Sequence, residues 1–86
     1  MSHINFASIS QRNVTANHNL LANTKVLVVN QTSGVALSSP ITTIAANSNG
    51  QLAIQIPASA KAGDYFLKAQ DGSGNFVAQS VVFHVA

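Results

Sequence analysis

The sequence predicts an all-β fold, an antiparallel two-layer sandwich of about seven short strands. Three observations predict it. Apolar and polar residues alternate over short runs, turn-forming residues interrupt those runs roughly every ten positions, and no segment leaves room for the crossover helices of a parallel sheet. The chain has 86 residues, which suits a single domain over residues 1–86 with one thin core and no catalytic cleft between lobes.

The elements follow in chain order. Ile4, Phe6 and Ser8 alternate with polar neighbours and open the chain with a strand. Between Val14 and Lys25, Thr15 or Asn17 offers a helix cap, but Asn17, Asn19 and Asn23 compete with the backbone for hydrogen bonds, so at most one helical turn is expected. Thr24 to Asn30 is a Val-rich strand whose Val26-Leu27-Val28-Val29 run is apolar on both faces. Gln31-Thr32-Ser33-Gly34 turns the chain into a short partner, Val35-Ala36-Leu37, which Pro40 is expected to end. Ile41 to Ala46 forms the next strand, and Asn47-Ser48-Asn49-Gly50 closes it with the Asn-Gly pair that tight hairpin turns favour. Gln51 to Ile56 has the cleanest alternation, with Leu52, Ile54 and Ile56 on one face, and Pro57 stops it by removing a ladder donor. The rest is a hairpin. Two strand-like runs, one around Tyr65 to Ala69 and one from Phe76 to Val85, flank a turn of Asp71-Gly72-Ser73-Gly74-Asn75.

Composition narrows the function classes. Only six residues are charged, four Lys or Arg and two Asp, and the polar share is carried by Ser, Asn, Gln and Thr. That balance suits a protein outside the cytoplasm or inside an assembly. Arg12, Lys25, Lys61 and Lys68 are scattered, so the basic stripe of a nucleic-acid binder is missing and no nucleic-acid partner is expected. Cysteine is absent, which removes disulfides, thiolate metal sites and Cys nucleophiles. Met1 to Arg12 lacks the features of a secretory signal, and no apolar run approaches the roughly 20 residues of a membrane helix, so no membrane insertion is expected. The expected setting is extracellular, a cell surface or a virion.

Titratable chemistry is sparse. His3, His18 and His84 are the only general-base candidates of suitable ordinary pKa, and no acid lies near any of them in sequence, so structural or exposed roles are expected. Asp64 and Asp71 are the only carboxylates. A glycosidase-type pair would need both, and a calcium site would need Asp71 with carbonyls of Gly72 to Asn75, but hard cations require more oxygen ligands and more negative charge. Asp71 reads instead as a turn former that bonds the backbone two residues on. The glycines of Asp71-Gly72-Ser73-Gly74 lack the following helix and lysine of a phosphate loop. Asn13-Val14-Thr15 and Asn30-Gln31-Thr32 match a glycosylation pattern short enough to arise by chance. No catalytic residue, cofactor or metal ligand is predicted, and an enzyme, in its nearest form a hydrolase pairing a His with Asp64 or Asp71, is not expected.

From Leu52 to Val85 the order of an alternating strand, Pro57, Ala62-Gly63-Asp64-Tyr65-Phe66-Leu67-Lys68-Ala69, Asp71, Gly74-Asn75 and a final Val81-Val82-Phe83-His84-Val85 resembles the second half of the immunoglobulin-like or fibronectin-type-III-like modules of bacterial surface proteins. The resemblance covers about the last forty per cent of the chain. It implies an immunoglobulin-like sandwich, a tyrosine-corner role for Tyr65, and a task as spacer, adhesion module or accessory domain. The cysteine pair and buried Trp of antibody domains are absent, and Met1 to Asn23 matches nothing in that pattern.

One further pattern concerns the outside of the last hairpin. With Tyr65, Leu67 and Ala69 inward, Phe66 faces out, and pairing across the turn sets Phe76, Ala78 and Val82 on the same side as interface candidates. Val81, Phe83 and Val85 are expected inward. Gln79 breaks the alternation, so it either finds a buried partner or a bulge resets the phase. The apolar patch predicts a cover, either a partner such as another copy of the chain or a neighbouring module, or the N-terminal segment folded over it. The expected function is a non-enzymatic structural or adhesive module that self-associates. A carbohydrate-binding module is the alternative, with amide and hydroxyl side chains bonding a glycan and Tyr65, Phe66 or Phe76 as stacking platforms.

Overall fold

The computed structural model describes all residues, 1–86, as eight strands without a helix. They are β1 (Ile4–Ser10), β2 (Asn13–His18), β3 (Lys25–Asn30), β4 (Ala36–Thr43), β5 (Gln51–Gln55), β6 (Gly63–Gln70), β7 (Phe76–Gln79) and β8 (Phe83–Val85). All pairings are antiparallel. One sheet has the order β1-β2-β5; the other has the order β4-β3-β6-β7, with β8 also pairing β6. β7 meets the Lys68 to Gln70 end of β6 and β8 meets its Gly63 to Tyr65 end, so the two behave as one interrupted strand.

The two sheets close over one core of sixteen residues. Val14, Ala16, Leu52 and Ile54 enter from the three-stranded sheet, and Val26, Val28, Tyr65, Leu67, Ala69, Phe83 and Val85 enter from the other. The expected sharing of one interior by Leu52, Ile54 and Phe83 holds. Phe6 packs edge-on against Phe83 with ring centroids 5.1 Å apart, a favoured aromatic geometry that ties β1 to β8 across the layers.

Several expectations are corrected. Asn13–His18 is a strand, because Val14, Ala16 and His18 alternate inward and their burial outweighs the reluctance of the intervening asparagines to pair. Pro40 does not end the Val35 to Leu37 segment: β4 runs through it to Thr43. β4 is an edge strand, where a missing N–H leaves no ladder bond broken on the open side, and its register with β3 slips between Leu27 and Val29. Asn47 to Gly50 is not a hairpin turn, since it carries the chain from one sheet to the other. Gly50 adopts φ +80° and its carbonyl accepts the His18 N–H at 2.8 Å, while a Cβ there would lie 3.1 Å from the His18 carbonyl oxygen.

The end of the chain resolves the Gln79 conflict by the bulge. The β6–β7 register slips between Ala69 and Gln70, which turns Ala78 inward and Gln79 outward. Ala78 is therefore a core residue and not an outer-face one. Val81 is exposed and not inward, because the chain spends Val81 and Val82 outside before Phe83 re-enters. Ser80 holds this break together. Its N–H donates to the Leu67 carbonyl at 2.9 Å, its Oγ accepts the Leu67 N–H at 2.8 Å, and its hydroxyl donates to the Val81 carbonyl at 2.9 Å. A buried N–H that the interrupted ladder would orphan is thereby satisfied.

Candidate functional site

The five-stranded sheet has an outer side turned away from the shared core. β1 pairs β2 in the opposite sheet, so the N-terminal segment does not fold over it. Cross-strand partners share a face, and the registers therefore define what this side presents. Ile41, Leu27, Lys68 and Gln79 lie side by side in one row, and Ala36, Val29 and Phe66 in the next. Thr43, Lys25, Gln70 and Phe76 border the first row at one end, and Asp64 with His84 lies beyond the second at the other.

The middle of this side is apolar. Val29 is buried yet lies outside the core cluster, and its two cross-strand neighbours on the outer side are Phe66 and Ala36. Phe66 and Leu27 are half-buried, while Phe76 is 59%, Ile41 50% and Val82 46% exposed. Of the expected interface residues, Phe66, Phe76 and Val82 lie on the surface, and Ala78 does not.

The outer side of the three-stranded sheet has another chemistry. Asn5, Asn17 and Gln51 form one cross-strand row, Ser8, Thr15 and Ala53 a second, and Ser10, Asn13 and Gln55 a third. All nine are exposed and none is charged.

The remaining candidates are accounted for locally. The Tyr65 ring is buried and its hydroxyl donates to the Lys61 carbonyl at 2.7 Å, so the ring is not available to stack on a ligand. Asp71 sits at the β6–β7 turn, where Oδ1 accepts the N–H groups of Ser73 and Asn75, both at 2.9 Å. The Asn75 N–H leads in holding this carboxyl below its ordinary value, and Ser73 and the Asn75 amide add to it. An acid facing amide donors is bound as a turn former. His18 is buried, its Nδ1 accepts the Leu20 N–H at 3.1 Å, and Nε2 lies 3.4 Å from the Ser48 Oγ. That arrangement places the ring proton on Nε2 and gives the side chain a structural task. His3 is exposed, and its backbone N–H donates to the Asn19 side chain at 2.8 Å.

One pair was invisible to sequence proximity. His84 Nδ1 lies 2.9 Å from Asp64 Oδ1, brought there by the β6–β8 ladder, with both side chains more than half exposed. The register of the final hairpin is the signal that finds it. The pair is a surface contact between neighbouring strands at one end of the five-stranded sheet.

Arg12, in the β1–β2 turn, is a further residue that sequence reading left unassigned. Its Nη1 donates to the carbonyls of Pro57 at 2.6 Å and Ala60 at 3.0 Å, and its Nη2 donates to that of Ala86 at 3.1 Å. One guanidinium fork thus ties the first hairpin to the β5–β6 connection and to the end of β8, a geometry lysine cannot reproduce. No protein-family model, no curated protein and no solved structure matches this chain.

Proposed function

We propose that the chain is a non-enzymatic structural or adhesive module of the immunoglobulin-like or fibronectin-type-III-like kind, working by self-association in a bacterial surface or phage-type assembly. The observation that carries the reading is the apolar outer side of the five-stranded sheet, where half-buried Leu27 and Phe66 surround buried Val29 beside exposed Ile41, with Phe76 and Val82 also exposed. Contiguous apolar surface of this kind is costly in water and favours a partner. The strand division into β1-β2-β5 and β4-β3-β6-β7/β8 supports the module class. The low charge supports an extracellular or virion setting.

A glycan-binding reading is favoured by one specific feature, the uncharged rows of amide and hydroxyl side chains on the three-stranded sheet, which suit sugar hydroxyls. It is weakened by the lack of an aromatic ring in those rows.

The test is a concentration series of solution mass by light scattering. The wild type is expected to exceed the mass of one chain as concentration rises. Phe66→Asp and Phe76→Asp are expected to return it to one chain, and Ala53→Lys, on the opposite side, to leave it unchanged. A single-chain mass at every concentration, or equal loss in all three variants, would overturn the proposal.

A further inference from the structure

The outer side of the five-stranded sheet is not only apolar; its charges give it a direction. Along β6 the outward residues run Asp64, Phe66, Lys68. Lys25 on β3 reinforces the cationic end, being in register with Gln70, and His84 accompanies Asp64 at the other. The acid and Lys68 lie four residues apart on one strand, about 13 Å along it, so they cannot bond each other. His84 to Asp64 is the chain's one salt bridge, which leaves the Lys68 ammonium without an internal carboxylate. Only Oδ1 of Asp64 is taken by His84. Asp71, near the Lys25 end, has its carboxylate turned onto the N–H groups of its own turn and does not cancel the pattern.

This arrangement is self-complementary under one operation. A two-fold axis lying midway between the two stacked sheets, parallel to them and crossing β6 at right angles at the level of Phe66, turns the outer sides toward each other and reverses the strand direction, so Asp64 of one copy falls over Lys68 of the other and the reverse pair forms simultaneously. The Phe66 rings meet at the axis, and Leu27, Val29 and Ile41 pack around them. Sheets stacked face to face sit ~10 Å apart with strands inclined by ~30°, a gap that a lysine and an aspartate reaching toward each other span. Stacking in the same direction instead would oppose Lys68 to Lys68 and Asp64 to Asp64. We propose that the occupant of this side is a second copy of the chain, docked by that two-fold with reciprocal Asp64 to Lys68 contacts. The inference rests on the self-association reading above and specifies its geometry. Four strands by seven residues offer roughly 450 Å² of flat area per copy, at the small end for a specific interface, so a reversible dimer is expected.

Charge reversal tests the geometry. By sedimentation equilibrium, Asp64→Lys alone and Lys68→Asp alone are each expected to weaken self-association at least tenfold, since each single change creates two like-charge contacts. An equimolar mixture of the two variants is expected to recover association, because every contact between unlike chains is then between opposite charges. The double variant Asp64→Lys with Lys68→Asp is expected to recover it as a homodimer. Circular dichroism confirms folding of each. Should a reversal fail to fold, Asp64→Asn and Lys68→Gln make the same test, each being expected to weaken the dimer and flatten its salt dependence. A wild type that associates but is indifferent to the single changes, or a mixture that stays apart, overturns this docking while leaving self-association standing. A wild type that never associates overturns both.

Discussion

The two outer sides of the sandwich are built from strands of similar length, yet they solve the problem of facing water in opposite ways. The three-stranded sheet alternates strictly along β2 and β5, buries Val14, Ala16, Leu52 and Ile54, and presents amides, hydroxyls and alanine in the cross-strand rows of its outer side. The five-stranded sheet places branched or aromatic residues on both sides of β3 and β6 and adds Lys25, Lys68 and Asp64 around them. A surface that needs nothing more than solubility can be made of uncharged polar side chains. The other side carries Leu27, Val29 and Phe66 along its middle, with charges at its ends, and it is on this combination that the proposed docking of a second copy rests.

The largest effect expected from this contrast lies within a single strand. Leu67 and Phe66 are neighbours on β6, one fully buried and one on the outer side. Leu67→Ala should cost about 2–5 kcal/mol of unfolding free energy through lost transfer energy and the cavity left behind. Phe66→Ala should cost less than about 1 kcal/mol when measured at monomeric dilution. Urea denaturation of both variants checks this. Equal losses would mean that the outer side of β6 is part of the core after all, and the distinction between the two faces would collapse.

A middle-sized effect concerns the break that distinguishes the β7–β8 edge from the unbroken strands of the other sheet. Ser80→Ala removes the acceptor of the buried Leu67 N–H, and an orphaned buried donor costs about 1–3 kcal/mol. Amide exchange at Leu67 should accelerate in the same variant. Unchanged stability would show that the interrupted edge needs no side-chain staple.

Much of this architecture is legible in the residues. Leu52, Ile54 and Ile56 announce β5, and Tyr65, Leu67 and Ala69 announce the inward face of β6, because burial against one layer imposes a period of two. What escaped depends on non-local facts. Val14, Ala16 and His18 carry the same period, but the asparagines between them read as breakers until a second strand is there to pair with. Pro40 excludes a central strand and says nothing against an edge, and only the topology reveals which β4 is. The apolar side was readable from Phe66 and the Val26 to Val29 run, and its charged ends were not. Counting back from the Asp71 turn in the register of Gln70 with Phe76 would set Asp64 opposite Val82. The slip at Ala69 and the break at Ser80 move its partner to His84.

The smallest effect separates the two acids of the five-stranded sheet. Asp64 faces outward toward His84, whereas Asp71 is consumed by its turn, the Asn75 N–H foremost, which holds its carboxyl below the ordinary 3.8. A carboxyl depressed in the folded state stabilises the fold above its unfolded value and loses that contribution as pH falls through the lower, folded value. Asp71→Asn keeps an acceptor oxygen in place and abolishes the titration. Urea midpoints followed from about pH 6 to about pH 2.5 should therefore fall more steeply below ~4 in the wild type than in the variant, with parallel, flat curves above that. Identical acid limbs would mean that the backbone amides of the β6–β7 turn do not grip the carboxylate, and that this turn is held by Gly74 at φ +83° and by the Asp71 and Asn75 backbone pair alone.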